Sequence, residues 1–434
     1  MFTPVEPERS GIVMTNEYSD PRMWTDRYQE FALGAIGTGI TVGDYDNDGL
    51  PDLFVVNKTG KSILYRNLGN WKFEDATDAA GLGETEGSWV DSIVGIFGPA
   101  TEGESAENWK QGATFVDVDN DGWLDLYLCK FNAPNVLYLN DGGGRYEAAE
   151  NSGLELLSAS GMASFCDFNR DGFLDVYVQT NMLDAAQAFE GSRDRLYLNN
   201  GDATFSDITD SAGISENTLG HAAICWDYDG DGWPDIYVAN DFAKPDQLYR
   251  NESGEGKVRF REVIDEVVPY QPFSSMGADI ADINNDGLID FFVADMAPTT
   301  HEKDQRGMAV TRHTMQSEIQ NSRKAPQYMF NALYLNTGSE RVMEISALAG
   351  LLRTDWTWSV RFEDLDCDGF VDLHVTNGMV REYQNDDLRQ KIFKAEHPSF
   401  RMRIMRASPL LSESNLAFRN LGGLSFERVE SSWG

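Results

Sequence analysis

Six times along this 434-residue chain, acidic or amide side chains recur at positions 1, 3, 5 and 9 of a nine-residue stretch whose sixth residue is glycine. The copies read DYDNDGLPD at 44–52, DVDNDGWLD at 117–125, DFNRDGFLD at 167–175, DYDGDGWPD at 227–235, DINNDGLID at 282–290 and DLDCDGFVD at 364–372. In such a loop the alternate side chains turn inward toward one point. The glycine allows the sharp turn, and the carbonyl of position 7 adds another oxygen. This is a donor set for a hard divalent cation.

The ligands expected are Asp44, Asp46, Asp48, Leu50 and Asp52 in the first copy, and Asp117, Asp119, Asp121, Trp123 and Asp125 in the second. They continue as Asp167, Asn169, Asp171, Phe173 and Asp175, then Asp227, Asp229, Asp231, Trp233 and Asp235. The last two sets are Asp282, Asn284, Asp286, Leu288 and Asp290, and Asp364, Asp366, Asp368, Phe370 and Asp372. The apolar seventh residues offer only their carbonyls, so the rings of Trp123 and Trp233 are expected to pack between repeats. Calcium suits the set better than magnesium, which demands strict octahedral geometry and keeps its waters. The spacing matches the start of an EF-hand loop, but position 12 lacks Glu and the flanks are strand-like. No helix-opening switch is therefore expected. A lone copy would read as a plain Asp-Gly turn; six in register point to about six Ca²⁺ sites, structural rather than catalytic.

The loops require strands on both sides. Runs such as GITVGD (39–44) precede them and DLFVVN (52–57) or DIYVAN (235–240) follow, rich in β-formers and bounded by Gly and Asp. LYRN at 64–67 and 248–251, LYLN at 137–140, 196–199 and 333–336, and AFRN at 417–420 mark a third strand. FEDATDAAGL (73–82) and FSDITDSAGI (205–214) mark a fourth. Four strands per repeat describe the blade of an all-β propeller. The expectation is one propeller domain over 1–434 with six complete repeats. Residues 2–12 (FTPVEPERSGI) read as an orphan fourth strand, which suits a seven-bladed ring; a closed six-bladed ring is the alternative.

Composition agrees with cation binding. With 71 acidic and 35 basic residues the net charge is −36, which repels nucleic acid and anionic membrane. Six Ca²⁺ would leave it at −24. Ten Trp, 24 Phe and 16 Tyr argue against an acidic disordered chain. Cys129, Cys166, Cys225 and Cys367 show no CxxC spacing, and three of them sit in apolar strand-like runs. No 18-residue apolar stretch occurs, so membrane insertion is not expected.

The loops and their flanking strands resemble FG-GAP or VCBS repeat propellers. The runs PQYMFNALYLNTG (326–338) and TDWTWS (354–359), leading into the sixth loop and NGMVREYQNDDL (377–388), are similar to the cartilage acidic protein family and its ASPIC/UnbV relatives. That resemblance implies a secreted calcium-loaded propeller with a binding role, followed in the family by a C-terminal ASPIC/UnbV domain that this chain is not expected to contain. Calcium loops of extracellular modules bind at about 10⁻⁴–10⁻³ M, which also favours an extracellular, cell-surface or periplasmic setting.

Three stretches break the rhythm, at about 83–110, 299–326 and 380–414. The second has five basic and three acidic residues, with a short helix expected over 308–322; the third has seven basic and five acidic. Both are net positive on an acidic body. Arg401, Arg403 and Arg406 are the candidate contacts for an extracellular protein or polysaccharide partner. The alternative is packing against neighbouring repeats, with Ile392, Phe393, Phe400 and Met402 as core residues. Trp356 and Trp358 are expected to divide between core and interface. The competing reading is a polysaccharide lyase or hydrolase, which needs a His, Tyr or Lys base facing an Arg or a metal. Only five His exist, and no GxSxG, HExxH or phosphate-binding loop appears. A binding scaffold without catalysis is the favoured expectation.

Overall fold

The computed structural model describes residues 3–25, 27, 30–31, 37–83, 109–183, 191–241, 244–254, 256–307, 325–378, 381–382, 385–395, 398–411 and 413–429. It is a β-propeller of four-stranded antiparallel units. In unit 1 the strands are Ile40–Gly43, Asp52–Val55, Ile63–Asn67 and Phe73–Asp75. The same meander recurs over 109–148, 157–207, 220–262, 275–344 and 355–429, here units 2 to 6. Every Asp loop is the hairpin between a first and a second strand. The ninth-position aspartate opens the second strand, and the register keeps it opposite the residue that ends the first: Gly43↔Asp52, Val116↔Asp125, Cys166↔Asp175, Trp226↔Asp235, Ala281↔Asp290 and Glu363↔Asp372.

First strands of successive units lie side by side, from unit 1 through unit 6. Second strands are the most buried; Asp175–Thr180, Asp235–Asn240 and Asp290–Ala297 are covered along their whole length. Tyr177, Tyr237, Phe291 and Tyr334 fill the spaces between sheets, each burial contributing roughly 1.5–3 kcal/mol. Cys129 is buried, Cys166 and Cys225 meet between units 3 and 4, and Cys367 is exposed at position 4 of its loop.

Two expectations change. Among the described residues, 3–12 holds no strand; Pro7–Ser10 is a helical turn closed by Gly11 at φ 76°. Pro4 and Pro7 lack the N–H that a ladder needs. A Cβ at Gly11 would strike the Phe73 carbonyl, much as one at Gly81, ending unit 1, would strike that of Tyr146 in unit 2. The segment therefore caps unit 1 as each unit's end caps the next. Second, Trp356 and Trp358 do not divide between two environments. A register shift between Thr357 and Ser359 interrupts the strand's alternation, and both rings pack against the Met276 and Met296 pair.

At the end away from the loops, the residue preceding each third strand accepts the N–H of the residue five positions past the loop's ninth aspartate. Ser62 takes it from Asn57 (3.1 Å), Asn135 from Lys130 (2.8 Å) and Asp194 from Thr180 (2.7 Å). Asp246 takes it from Asn240 (2.7 Å), Asn331 from Asp295 (2.8 Å) and Asn415 from Asn377 (3.0 Å). Four of these side chains also hold a hydroxyl of the next unit: Ser160 for Asn135, Thr218 for Asp194, Ser275 for Asp246 and Thr354 for Asn331.

Burial pushes the carboxyl of Asp194 up to about 6 and that of Asp246 to about 7, against about 4 in an unfolded chain. The folded state thus prefers the protonated acid. Its stabilisation is complete below about pH 4 and is lost as pH rises through 7. Asp246→Asn installs the neutral side chain that unit 2 carries at Asn135. At fixed calcium, the Tm of this variant relative to the natural chain is expected to climb by a few degrees between pH 5 and 8; a flat difference would contradict the account.

Candidate metal centres

The six loops share one backbone. Position 4 is left-handed in each, at Asn47 (φ 54°), Asn120 (60°), Arg170 (62°), Gly230 (74°), Asn285 (59°) and Cys367 (60°). The position 6 glycines cluster between φ 87° and 92°. These turns let the first aspartate accept two N–H groups. Asp44 Oδ1 accepts from Asp48 at 3.0 Å and Oδ2 from Gly49 at 2.8 Å; Asp117, Asp167, Asp227, Asp282 and Asp364 repeat the pair. The fifth residue accepts from the seventh, as Asp121 does from Trp123 at 2.8 Å.

The ninth aspartates are buried, at 0–2% exposure. Both oxygens accept backbone N–H bonds: Asp125 Oδ2 from Val118 (3.0 Å) and Oδ1 from Asn140 (2.8 Å), with the same pattern in all six units. Burial raises their carboxyls, Asp52 to about 6, Asp125, Asp175 and Asp290 to about 7, and Asp235 to about 8. A divalent ion nearby would oppose that rise.

The loops are also coupled around the propeller. The asparagine ending the third strand donates Nδ2–H to the position 2 carbonyl of the unit before it. Asn140 reaches Tyr45, Asn199 Val118, Asn251 Phe168, Asn336 Tyr228 and Asn420 Ile283, at 2.7–3.0 Å. In the other direction Asn47, Asn120 and Asn285 donate to Gly122, Gly172 and Gly369 of the following loop. The ring of Trp233 lies beneath the Arg170 guanidinium of the preceding loop, 5.2 Å away.

One oxygen from each of Asp44, Asp46 and Asp48 lies within 4.8 Å of the others. The same holds for Asp117, Asp119 and Asp125, for Asp227, Asp229 and Asp235, and for Asp364, Asp366 and Asp372. Each group is able to hold a metal ion. In the remaining two loops an amide stands at position 3, Asn169 or Asn284. The donor set fits a hard cation: it is all oxygen, and Asp46 Oδ1 is buried without a hydrogen-bond partner. Side chains that loop spacing alone did not single out are the third-strand arginines. Arg66 contacts Asp46 (2.6 Å) and Asp48 (3.1 Å), Arg250 contacts Asp229 (3.1 Å), and Arg419 contacts Asp366 (2.7 Å) and Asp368 (2.9 Å). The contrast between LYRN and LYLN was their sequence signal.

The last two insertions meet away from the loops. Gly307 bridges to Asn385, Arg306 pairs with Glu382 (3.3 Å), and Lys303 joins Asp355 and Glu413 (2.9 Å each). Beneath them lies a cavity of about 110 Å³ lined by Met296, Trp356 and these charged groups. Arg401 and Arg403 are exposed on the helix Pro398–Ala407, which also carries Arg406. Ile392 is buried as expected, whereas Phe400 is 56% exposed and not a core residue; it sits on the same helix as the exposed arginines. Residues 84–108 and the helix expected over 308–322 lie outside the described residues. His221 stands 3.6 Å from Asp241, and His374 lies opposite Arg361 in register; neither lines the cavity.

An FG-GAP-like repeat model matches residues 30–98, 103–178 and 227–293. Human cartilage acidic protein 1 is 22% identical over 227 residues, 50% of this chain and 30% of that protein. The Xenopus tropicalis protein of the same name is 22% identical over 228 residues, 50% of this chain and 31% of its own length. The matched stretch thus spans under a third of these relatives. A lectin of Agrocybe aegerita, solved for its recognition of non-reducing terminal N-acetylglucosamine, aligns over 89% of this chain and 77% of its own at 15% identity and a TM-score of 0.45.

Two substitutions separate backbone from side-chain contributions in a loop. A Cβ on Gly122 would meet nothing within 4 Å, so Gly122→Ala carries only the left-handed backbone cost, about 1–2 kcal/mol. Asp125→Ala strands two buried N–H donors, each costing about 1–3 kcal/mol. Urea unfolding in EDTA should therefore place Asp125→Ala clearly below Gly122→Ala; equal midpoints would mean that the ninth aspartate is not the anchor.

Proposed function

Taking the chain as an FG-GAP-repeat β-propeller related to cartilage acidic protein 1, we propose that it is a secreted binding scaffold whose blades are braced by calcium. The observation that carries this is the repeated loop: six copies share one backbone, and in four of them three carboxylate oxygens converge at the hairpin between two strands. Asp at positions 1, 3, 5 and 9, or Asn at position 3, together with the position 7 carbonyl, would hold the ion. When bound, it neutralises carboxylates that otherwise repel one another. The protein's own groups orient the ligands through the N–H bonds described above. No catalytic step is assigned to these sites.

Partner binding falls to the opposite end. Its support is the pairing of two net-positive insertions over a cavity lined by Trp356, with Arg401 and Arg403 exposed on the second insertion of a chain of charge −36. An anionic extracellular protein or acidic polysaccharide suits that contrast.

Thermal unfolding tests the first part. Tm in millimolar Ca²⁺ should exceed that in EDTA, with little response to Mg²⁺. A protein that carries no calcium on metal analysis and shows no shift would remove the calcium reading. For the second part, Arg401, Arg403 and Arg406 are replaced together by Ser. Tm should hold, while retention on immobilised acidic polysaccharide should weaken severalfold; unchanged retention would remove these residues from the surface.

A further inference from the structure

The six loops differ in charge in a way their shared motif hides. Loops 44–52, 227–235 and 364–372 carry four aspartates each, and each receives one guanidinium from its own third strand, from Arg66, Arg250 and Arg419. Loops 167–175 and 282–290 carry three aspartates, with Leu198 and Leu335 at the arginine position. There the amide replaces a charge and also donates to it, Asn169 Nδ2 to Asp171 (2.8 Å) and Asn284 Nδ2 to Asp286 (2.9 Å). Loops 44–52, 227–235, 282–290 and 364–372 therefore present a local charge of −3, and loop 167–175, which carries Arg170 at position 4, one of −2. Loop 117–125 keeps four carboxylates with Leu139 opposite, and among the described residues no ion pair reaches it. Its charge is −4.

We propose that loop 117–125 is the high-affinity cation site of the propeller, first to fill and last to empty, and that Arg66, Arg250 and Arg419 hold their own loops at lower affinity. This rests on the calcium reading above. Two effects of an arginine oppose each other. It can orient ligating carboxylates, which strengthens binding, or it can repel the incoming ion, since ligand charge sets the affinity of such loops. Orientation is already supplied without arginine. In loop 117–125 Asp117 is held by Asp121 and Gly122, Asp119 by Asp121, Asp121 by Trp123, and Asp125 by Val118 and Asn140, all through N–H groups. Charge is then the difference that remains, and one unit of it is expected to change affinity roughly tenfold.

The seventh position provides the reporter. It is Trp in loops 117–125 and 227–235, and Leu or Phe in the other four. Tb³⁺ is titrated into the intact chain while its emission is read on tryptophan excitation. Two phases are expected: the tighter lost in Trp123→Phe, the weaker in Trp233→Phe. Arg250→Leu should tighten the weaker phase roughly tenfold, and Leu139→Arg should weaken the tighter one. Leucine is the residue that units 2, 3 and 5 already carry there, so folding is preserved. Arg66→Leu paired with a Leu50→Trp reporter repeats the test in the first loop. A Trp233 phase that saturates first, or an Arg250→Leu change that weakens binding, overturns the ranking while leaving calcium binding intact. No sensitised phase in any variant, together with no Tm response to Ca²⁺, removes the cation reading itself and this inference with it.

Discussion

The carboxylate at the ninth position of each loop is the contact on which the molecule depends. It is buried where the second strand begins, and it closes its own hairpin by accepting the N–H of position 2. Its other oxygen holds the asparagine that ends the third strand. That asparagine reaches the loop of the preceding unit. One side chain thereby fixes hairpin, sheet and inter-unit spacing. Burial of an ionisable acid is costly unless its oxygens are matched, and here both are matched by backbone donors that only a proline would remove.

The opposite end repeats the logic with different residues. Ser62, Asn135, Asp194, Asp246, Asn331 and Asn415 occupy one structural position and accept one equivalent N–H. Their variety shows that an oxygen acceptor is what the position requires, not a charge. Units are thus tied at both ends, by loops on one side and by these acceptors on the other. The two insertions that pair over Trp356 lie at the second end, so the cavity and the exposed arginines stand apart from the cation loops.

Charge is distributed with the same separation. The acids concentrate in the loops, where arginine or asparagine tempers all but one copy, while basic residues gather on the insertions.

The loops, the strands around them and the four-strand repeat were legible in the sequence, because a hard-cation donor set and strand alternation are local patterns that survive in any context. The roles of L-Y-x-N were not. The motif reads as a strand, and only the packing of one unit on the next shows that its asparagine joins two loops, or that arginine in place of leucine alters a loop's charge. The acceptor before each third strand escaped for a different reason: six residues of three types share no side-chain pattern, only a place relative to one N–H. The terminal segment 3–12 read as a strand because its ends resemble other fourth strands, and its prolines decided otherwise. Trp356 and Trp358 were read as dividing between core and interface; a register shift between Thr357 and Ser359, which no local pattern announces, brings both rings against Met276 and Met296. Chemistry carried by contiguous residues was determined by the sequence alone. What the units do to one another was decided by tertiary structure, since those contacts join residues up to 137 positions apart.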